Sequence, residues 1–461
     1  MRKFILFLSH IITIMSISAQ ENNYLKEPLP QKWSDSKLFE QVLPSEDKWW
    51  LRFEDPILDS LITIAGKRNL SVLEAIENIR NAKASWRIAQ SNLFPTIDFG
   101  AGWQRNKTSG NIYSTGYNET FGGYFDATLS MNWQLDIFGN IYKRAKAQKE
   151  LFYASEEEYR AVLVSLCANV ATAYFSLRQS LAEIAVLKRN VASQKEIMDI
   201  VETRFNTGLA SKLDVAQARS VYYSTLASIP SMESSIQQYR NALAILLATY
   251  PGEIYVWLGS STELPEYIDP IAVGIPANLL RRRPDIRSAE REVEAYASLL
   301  GASKRDWLPA FYVNGSIGFA STDIKYMPRS RSMQWKISPT ITWNLFDGGK
   351  TSKETVQARA QLEQSIIRFN NTVLTAMQEV ENAMQTYKSS IATIVALSET
   401  VNQNEETLHL SLELYKQGLT QFQNVLDAQR TLLNYQDNLV QAKGRSLITL
   451  IQLYEALGGG W

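Results

Sequence analysis

Phe125-Asp126-Ala127-Thr128-Leu129-Ser130-Met131-Asn132-Trp133-Gln134-Leu135-Asp136 alternates between apolar and polar residues without an error. A period of two is that of a β-strand, with Phe125, Ala127, Leu129, Met131, Trp133 and Leu135 on one face and polar side chains on the other. Upstream, Ile97, Phe99, Ala101 and Trp103 alternate in the same way with Asp98, Gly100, Gly102 and Gln104. The pattern then returns. Phe311, Val313, Ile317 and Phe319 alternate with Tyr312, Asn314, Ser316 and Gly318, and Trp335, Ile337, Ile341 and Trp343 with Lys336, Ser338, Thr340 and Asn344. The four strands, predicted at about 96–106, 125–136, 311–320 and 335–346, have the roughly ten-residue length of a tilted strand that crosses a bilayer. Trp103, Trp133, Trp335 and Trp343 stand on the apolar face near strand ends, where interfacial aromatic girdles belong. The connecting loops, 107–124 and 324–334, are polar and rich in Gly, Ser, Asn and Thr, as extracellular loops are. A soluble sandwich is the competing reading, but aspartates 98, 126 and 136 make its polar face a poor inner layer.

Trp133 and Trp343 are 210 residues apart, as are Leu135 and Leu345, Gly139 and Gly349, Gly208 and Gly418, and Val215 and Val425. Half of the chain is therefore a tandem duplication, with repeats over 56–250 and 277–461 joined by a proline-rich linker, 251–276, and preceded by an irregular segment, 20–55. Each repeat opens with a helix, the first predicted as one element from Pro56 to Asn92. After the strands comes a stretch without Pro or Gly, about Asn140–Phe205 and Lys350–Gln417. Tyr159, Leu163, Leu166, Val170, Tyr174, Leu177, Leu181, Ile184 and Val191 recur near the coiled-coil spacing. Such a helix spans roughly 100 Å at 1.5 Å per residue. It projects from the body of the molecule, turns at Gly208 or Gly418, and a return helix follows.

Of 461 residues, 47 are Lys or Arg and 47 Asp or Glu, so no net field points to nucleic acid. The single cysteine, Cys167, excludes an intramolecular disulfide and a cysteine-based zinc cluster, and two histidines, His10 and His409, cannot make a His-rich metal site. No Gly-x-Ser-x-Gly elbow is present. Met1-Arg2-Lys3, an apolar run from Phe4 to Ile17 and then Ser18-Ala19 describe a signal peptide over 1–19, too short to span a membrane. The reading is an exported protein with no transmembrane helix, no catalytic residue and no obligatory metal or cofactor.

Four strands leave two unpaired edges, and lipid does not tolerate them. Small barrels start near eight strands, so several protomers must share one barrel. The long helices then continue the pore as a tube beneath it.

Leu279-Leu280-Arg281-Arg282-Arg283-Pro284-Asp285-Ile286-Arg287-Ser288-Ala289-Glu290 resembles the signature of the TolC-type outer-membrane efflux channels, in the NodT-like branch that serves resistance-nodulation-division (RND) pumps. The terminal Leu457-Gly458-Gly459-Gly460-Trp461 and the glycine turns followed by 209–215 and 419–428 resemble it too, so the likeness spans the mature chain. It implies a homotrimer with a 12-stranded outer-membrane barrel, four strands per protomer, above a 12-helix periplasmic tunnel. It implies as partners a periplasmic adaptor and an inner-membrane RND pump, which supplies the energy for export through a passive duct for drugs and toxic compounds. Within the signature, Arg282, Arg283, Pro284, Asp285 and Arg287 are the matching positions. The family's gate has two aspartates past the second tip turn. Here Asp427 is kept and Asn424 replaces the other, which halves the charge of the expected ring. Tyr415 matches a tyrosine that locks the closed tip, and Asp214 an acid after the first turn. Gly208, Leu209, Gly418 and Leu419 match the adaptor-contact tips. Many members of the branch carry a lipid-modified cysteine after the signal peptide. No Cys lies near residue 20, so the barrel alone is expected to hold the protein in the membrane. A type I secretion or metal-efflux outlet with the same channel, and a soluble coiled-coil scaffold, are the alternative readings. Neither Met nor His clusters in the strands or tips, as a metal path would ask. A scaffold would have no use for four alternating strands.

Overall fold

The computed structural model describes residues 24–33, 39–40, 48–107, 121–258, 264–265 and 271–459. The expected signal peptide, most of the first strand loop and the last two residues of the terminal motif lie outside them. In chain order the elements are β1 (Phe39–Glu40), α1 (Pro56–Arg68), α2 (Leu70–Ser91), β2 (Thr96–Lys107), β3 (Phe121–Leu135), α3 (Asn140–Asn206), α4 (Lys212–Leu246), β4 (Ile271–Ala272), α5 (Leu279–Arg282), α6 (Pro284–Ser303), β5 (Ala310–Ser321), β6 (Met333–Thr342), α7 (Lys350–Lys416) and α8 (Phe422–Ala456). The two long helices, α3 and α7, are each 67 residues, and their return helices, α4 and α8, are each 35. Sixty-seven residues make a rod of roughly 100 Å.

Strands β2, β3, β5 and β6 form one antiparallel sheet in that order. Among the described residues nothing covers either face. Ile97, Phe99, Trp103, Trp335, Ile337 and Ile341 are 59–71% exposed on the apolar side. On the other side Asp98, Ser130, Ser316 and Lys336 follow one another in register across all four strands. A soluble sandwich would bury the apolar face under a second sheet, and among the described residues no sheet lies over it.

Below the sheet, α2, α3, α6 and α7 pack side by side in that order, and farther down α4 and α8 take over beside α3. Each repeat splices its return helix to its opening helix in the same manner. Asn69 precedes α2, accepts the Ser71 and Val72 amides, and donates to the last-turn carbonyl of Leu246 in α4 at 2.9 Å. Arg283, the equivalent residue before α6, donates to the carbonyl of Ala456 in α8 at 3.0 Å. Carbonyls at a helix end lack intrahelical donors, so both bonds satisfy orphaned groups and turn two helices into one continuous column. The strands are tied to the helices just as symmetrically. The Trp133 indole donates to Leu93 O and the Trp343 indole to Trp307 O, both at 3.0 Å. Each acceptor lies two residues before the proline, 95 or 309, that leads into a strand.

The main core gathers α1, the middle of α3, the linker and the chain end. Trp49 stacks on Tyr454 with ring centroids 5.3 Å apart, and Tyr174, Phe175, Leu58, Leu61, Leu247 and Ile271 are buried with them. A second core, at the tips, joins Ile197, Val201, Val215, Tyr415, Phe422, Val425 and Leu426 from all four lower helices. Between the two the α3–α8 seam turns polar. Asn190 donates to Gln436, Gln436 to Glu405, and Gln194 is buried with neither side-chain polar atom partnered.

Three expectations are corrected. The helix predicted over 56–92 is two helices, because the Asn69 side chain caps α2 and the backbone there is extended. The segment 20–55 is not wholly irregular: its Phe39–Glu40 pairs in parallel with Ile271–Ala272 of the linker, and its Trp33 donates to Gly274 O. The fourth strand stops at Thr342 rather than 346, and the second begins at Phe121, where residues 121–124 continue the ladder against Lys107–Gln104. One helix, α3, does contain a window as apolar as a membrane span, with mean hydropathy 1.4. Half of that window is buried inside the fold.

Gly318 lies where a Cβ would collide with the backbone of Ala127 and Thr128, whereas a Cβ on Gly100 meets nothing within 4 Å. Gly318→Val is expected to cost about 1–3 kcal/mol through overpacking, and Gly100→Ala little. Heat-induced loss of the folded band on semi-native gels tests both.

Candidate functional site: the hairpin tips

Both tip turns have the same construction. Helix α3 ends at Gly208 (φ +79°) and α7 at Gly418 (φ +77°), a left-handed conformation that glycine adopts without strain. The next amide reaches back over the turn, Leu209 N to Arg204 O at 2.7 Å and Leu419 N to Leu414 O at 2.9 Å. This satisfies orphaned carbonyls and throws the two leucines outward, 66% and 70% exposed. Thus Gly208, Leu209, Gly418 and Leu419 form the exposed end of each hairpin.

The return helices start differently. Ser211 and Asp214 make a reciprocal capping box: Asp214 N donates to Ser211 Oγ at 3.1 Å and Ser211 N to Asp214 Oδ2 at 3.0 Å. In the second repeat the equivalent positions are Gln421 and Asn424, and α8 has no side-chain cap; Asn424 donates to Thr420 Oγ1 at 2.7 Å instead. The carboxylate lost at Asn424 is therefore the counterpart of the one that caps α4.

The predicted gate residues fall into two groups. Asn424 and Asp427 are exposed on one face of α8. Asp427 accepts from Gln423 at 3.0 Å, and Gln423 in turn accepts from Gln217 of the other hairpin at 3.5 Å. Tyr415 is apart from them, 4% exposed within the tip core, where it packs on Phe422. Burial, and after it the Asp214 carboxylate, lifts the Tyr415 hydroxyl above the ordinary phenol value, while the nearby Arg204 charge pulls the other way. Sequence reasoning missed Arg204. Its guanidinium lies 4.9 Å from the Tyr415 ring centroid and donates to Lys416 O at 2.7 Å, so it bridges the last turns of the two long helices. A basic residue in the last turn before a glycine was the available signal.

The signature residues lie far from the tips. Arg283 is 9% exposed and holds Asp285 in a two-pronged contact at 3.0 and 2.7 Å, and Glu379 of α7 at 2.6 Å, besides Ala456 O. Pro284 takes the first position of α6 and Asp285 the first turn, where its Oδ1 accepts the Ile286 amide. Arg287 reaches Glu157 of α3 at 2.6 Å. The terminal glycines fold onto the same place: a Cβ on Gly458 (φ +74°) would stand 3.0 Å from Arg283 Cα and 3.1 Å from the Arg282 carbonyl. The two motifs that are distant in sequence are one structural joint.

The profile of the family described as "Outer membrane efflux protein" matches residues 61–249 and 275–459, each a whole repeat. The chain belongs to the outer membrane efflux protein family. It is 30% identical over 428 residues to the solvent efflux pump outer membrane protein SrpC of Pseudomonas putida, covering 93% of this chain and 90% of that one. To the nodulation protein T of Rhizobium leguminosarum bv. trifolii it is 28% identical, over 94% of this chain and 92% of the relative. The structure of the outer-membrane channel OprN superposes with a TM-score of 0.88 at 27% identity, over 94% of this chain and 98% of that one. In this outer membrane efflux protein, then, the sheet, the helical wall and the tips have the layout of an outer-membrane channel.

Removing Arg283 strands two carboxylates and a helix-end carbonyl. Because Glu379 and Asp285 remain partly hydrated, Arg283→Ala is expected to cost about 3 kcal/mol, the low end for a broken buried pair. Arg283→Lys restores little, since an ammonium cannot grip a carboxylate with two parallel donors. Urea unfolding of the purified protein, followed by near-UV signals from Trp49 and its neighbours, measures both.

Proposed function

We propose that the chain is the exit duct of a tripartite efflux system. Three copies close one 12-stranded outer-membrane barrel and one periplasmic tunnel of helices, a periplasmic adaptor seats on the tips, and an inner-membrane RND pump drives small molecules into the duct. The observation that carries this reading is a lipid-type sheet, open at both edges and bare on both faces, continuous with hairpins of roughly 100 Å. The span suits a path through the periplasm, and transport through it is passive, without chemistry.

In this reading Gly208, Leu209, Gly418 and Leu419 present the adaptor contact. Three copies of Asp427 ring the neck, with Asn424 lowering its charge. Tyr415, Asp214 and the Arg204 bridge hold the two hairpins of a protomer together at rest. The barrel holds the protein in the outer membrane.

Light scattering on protein extracted from outer membranes is expected to give a detergent-solubilised trimer. In planar bilayers Asp427→Ala is expected to lower the preference for cations, and Arg204→Ala to raise resting conductance. A monomer released by osmotic shock without detergent would sink the duct.

A further inference from the structure

The seam between α3 and α6 is matched in charge along most of its length. Glu157 of α3 takes Arg287 at 2.6 Å, and about two turns of α3 higher Glu150 takes Arg291 at 3.3 Å. At the sheet end the match fails. Lys143 of α3 lays its stem over Gly301 of α6, where a Cβ would be 3.7 Å from Lys143 Cδ. The charges that act on it there are Lys146 and Arg305, and the acid nearest them, Glu150 beside Lys146, is held by Arg291. Burial, then the charges of Lys146 and Arg305, holds the Lys143 ammonium below the ordinary lysine value. Arg305 Nη1 is sealed from solvent with no acceptor.

Each carboxylate in the neighbourhood is already engaged. Asp306 accepts from Arg144 and Asn140, Asp136 accepts the Ile141 and Tyr142 amides, and Glu150 is shared by Arg291 and the Lys146 charge. Lys143, Arg144 and Lys146 also occupy the first two turns of α3, which contain no acid in the first turn. A helix N-terminus is itself positive, so cations there add to the excess rather than relieve it. A cluster of this kind is stable when an anion completes it.

The position says which anion. Lys143 comes eight residues after the end of β3 and Arg305 five before the start of β5, two adjacent central strands. A second copy adds at the β2 and β6 edges, away from this seam. Beside the cluster Ile137, Trp307 and Leu308 are exposed apolar residues, so it lies where the lipid-facing sheet gives way to the periplasmic helices. We propose that Lys143, Lys146 and Arg305 bind the phosphate of an anionic phospholipid from the periplasmic leaflet, one per protomer. The proposal rests on the outer-membrane reading above.

The test is native mass spectrometry of the detergent-purified trimer titrated with dioctanoyl-phosphatidylglycerol, with dioctanoyl-phosphatidylcholine and inorganic phosphate as competitors. Up to three phosphatidylglycerols are expected per trimer. Loss of two surface cations, each a factor of about five, makes Lys143→Gln/Arg305→Gln about 25-fold weaker, while Lys188→Gln, on an exposed part of α3, binds like the wild type. Should the double variant fail to assemble, Lys143→Met keeps the stem and loses about fivefold. Uptake independent of these residues overturns the site, and so does inorganic phosphate competing as well as the lipid, which would mark a free-anion site. A trimer with either result leaves the duct standing, whereas a monomer removes the duct first.

Discussion

Hydrocarbon offers a peptide group no hydrogen-bond partner, and a sheet that faces lipid therefore cannot have an edge. In this chain the sheet has two, at β2 and β6, and among the described residues it has no second layer on either face. The rest of the molecule is arranged around that deficit. The strands come in two hairpins because the repeat supplies two, and the helices beneath them stand side by side in the same order as the strands above. A wall of this kind has no interior of its own. Its apolar residues gather mainly at the equator, where the N-terminal segment, the linker and the C-terminus wrap around α3, and at the tips, with smaller contacts nearer the sheet such as Phe152 on Trp86.

What ties one layer to the next is a small set of bonds to helix-end carbonyls. Asn69 to Leu246 and Arg283 to Ala456 make the return helix of each repeat continuous with the opening helix of the same repeat. The second joint carries far more chemistry than the first, since Arg283 also binds Asp285 and Glu379 and is pressed by Gly458. The duplicated halves have thus diverged at a shared position, from a neutral amide to a buried, fully engaged guanidinium. The tips have diverged as well: the Ser211–Asp214 box has no counterpart at Gln421 and Asn424.

The strands and long helices were legible because each is governed by a local period. Six clean alternations at Phe125–Asp136 and a stretch of 67 residues free of Pro and Gly leave little choice of conformation. The register of the duplication then fixed both tip turns. What could not be read depended on partners far along the chain. The splice at Asn69 needs a carbonyl 177 residues away, and the role of Arg283 needs partners 96 and 173 residues away. Of the tip residues, the sequence marked Asp427, Asn424, Asp214 and Tyr415 but not Arg204, whose acceptor lies 212 residues on. The two-residue pairing of β1 with β4 is too short to announce itself by any pattern.

The polar stretch of the α3–α8 seam bears on mechanics. A rod packed on greasy neighbours along its whole length resists bending everywhere. This one is packed on apolar cores at the equator and the tip, with Asn190, Gln194, Gln436 and Glu405 in between. Water competes well for such groups, so parting the helices there forfeits little. The interval between the two cores is thus the least firmly held part of the seam. On that ground the lower third is a limb joined to the wall above through its softest stretch.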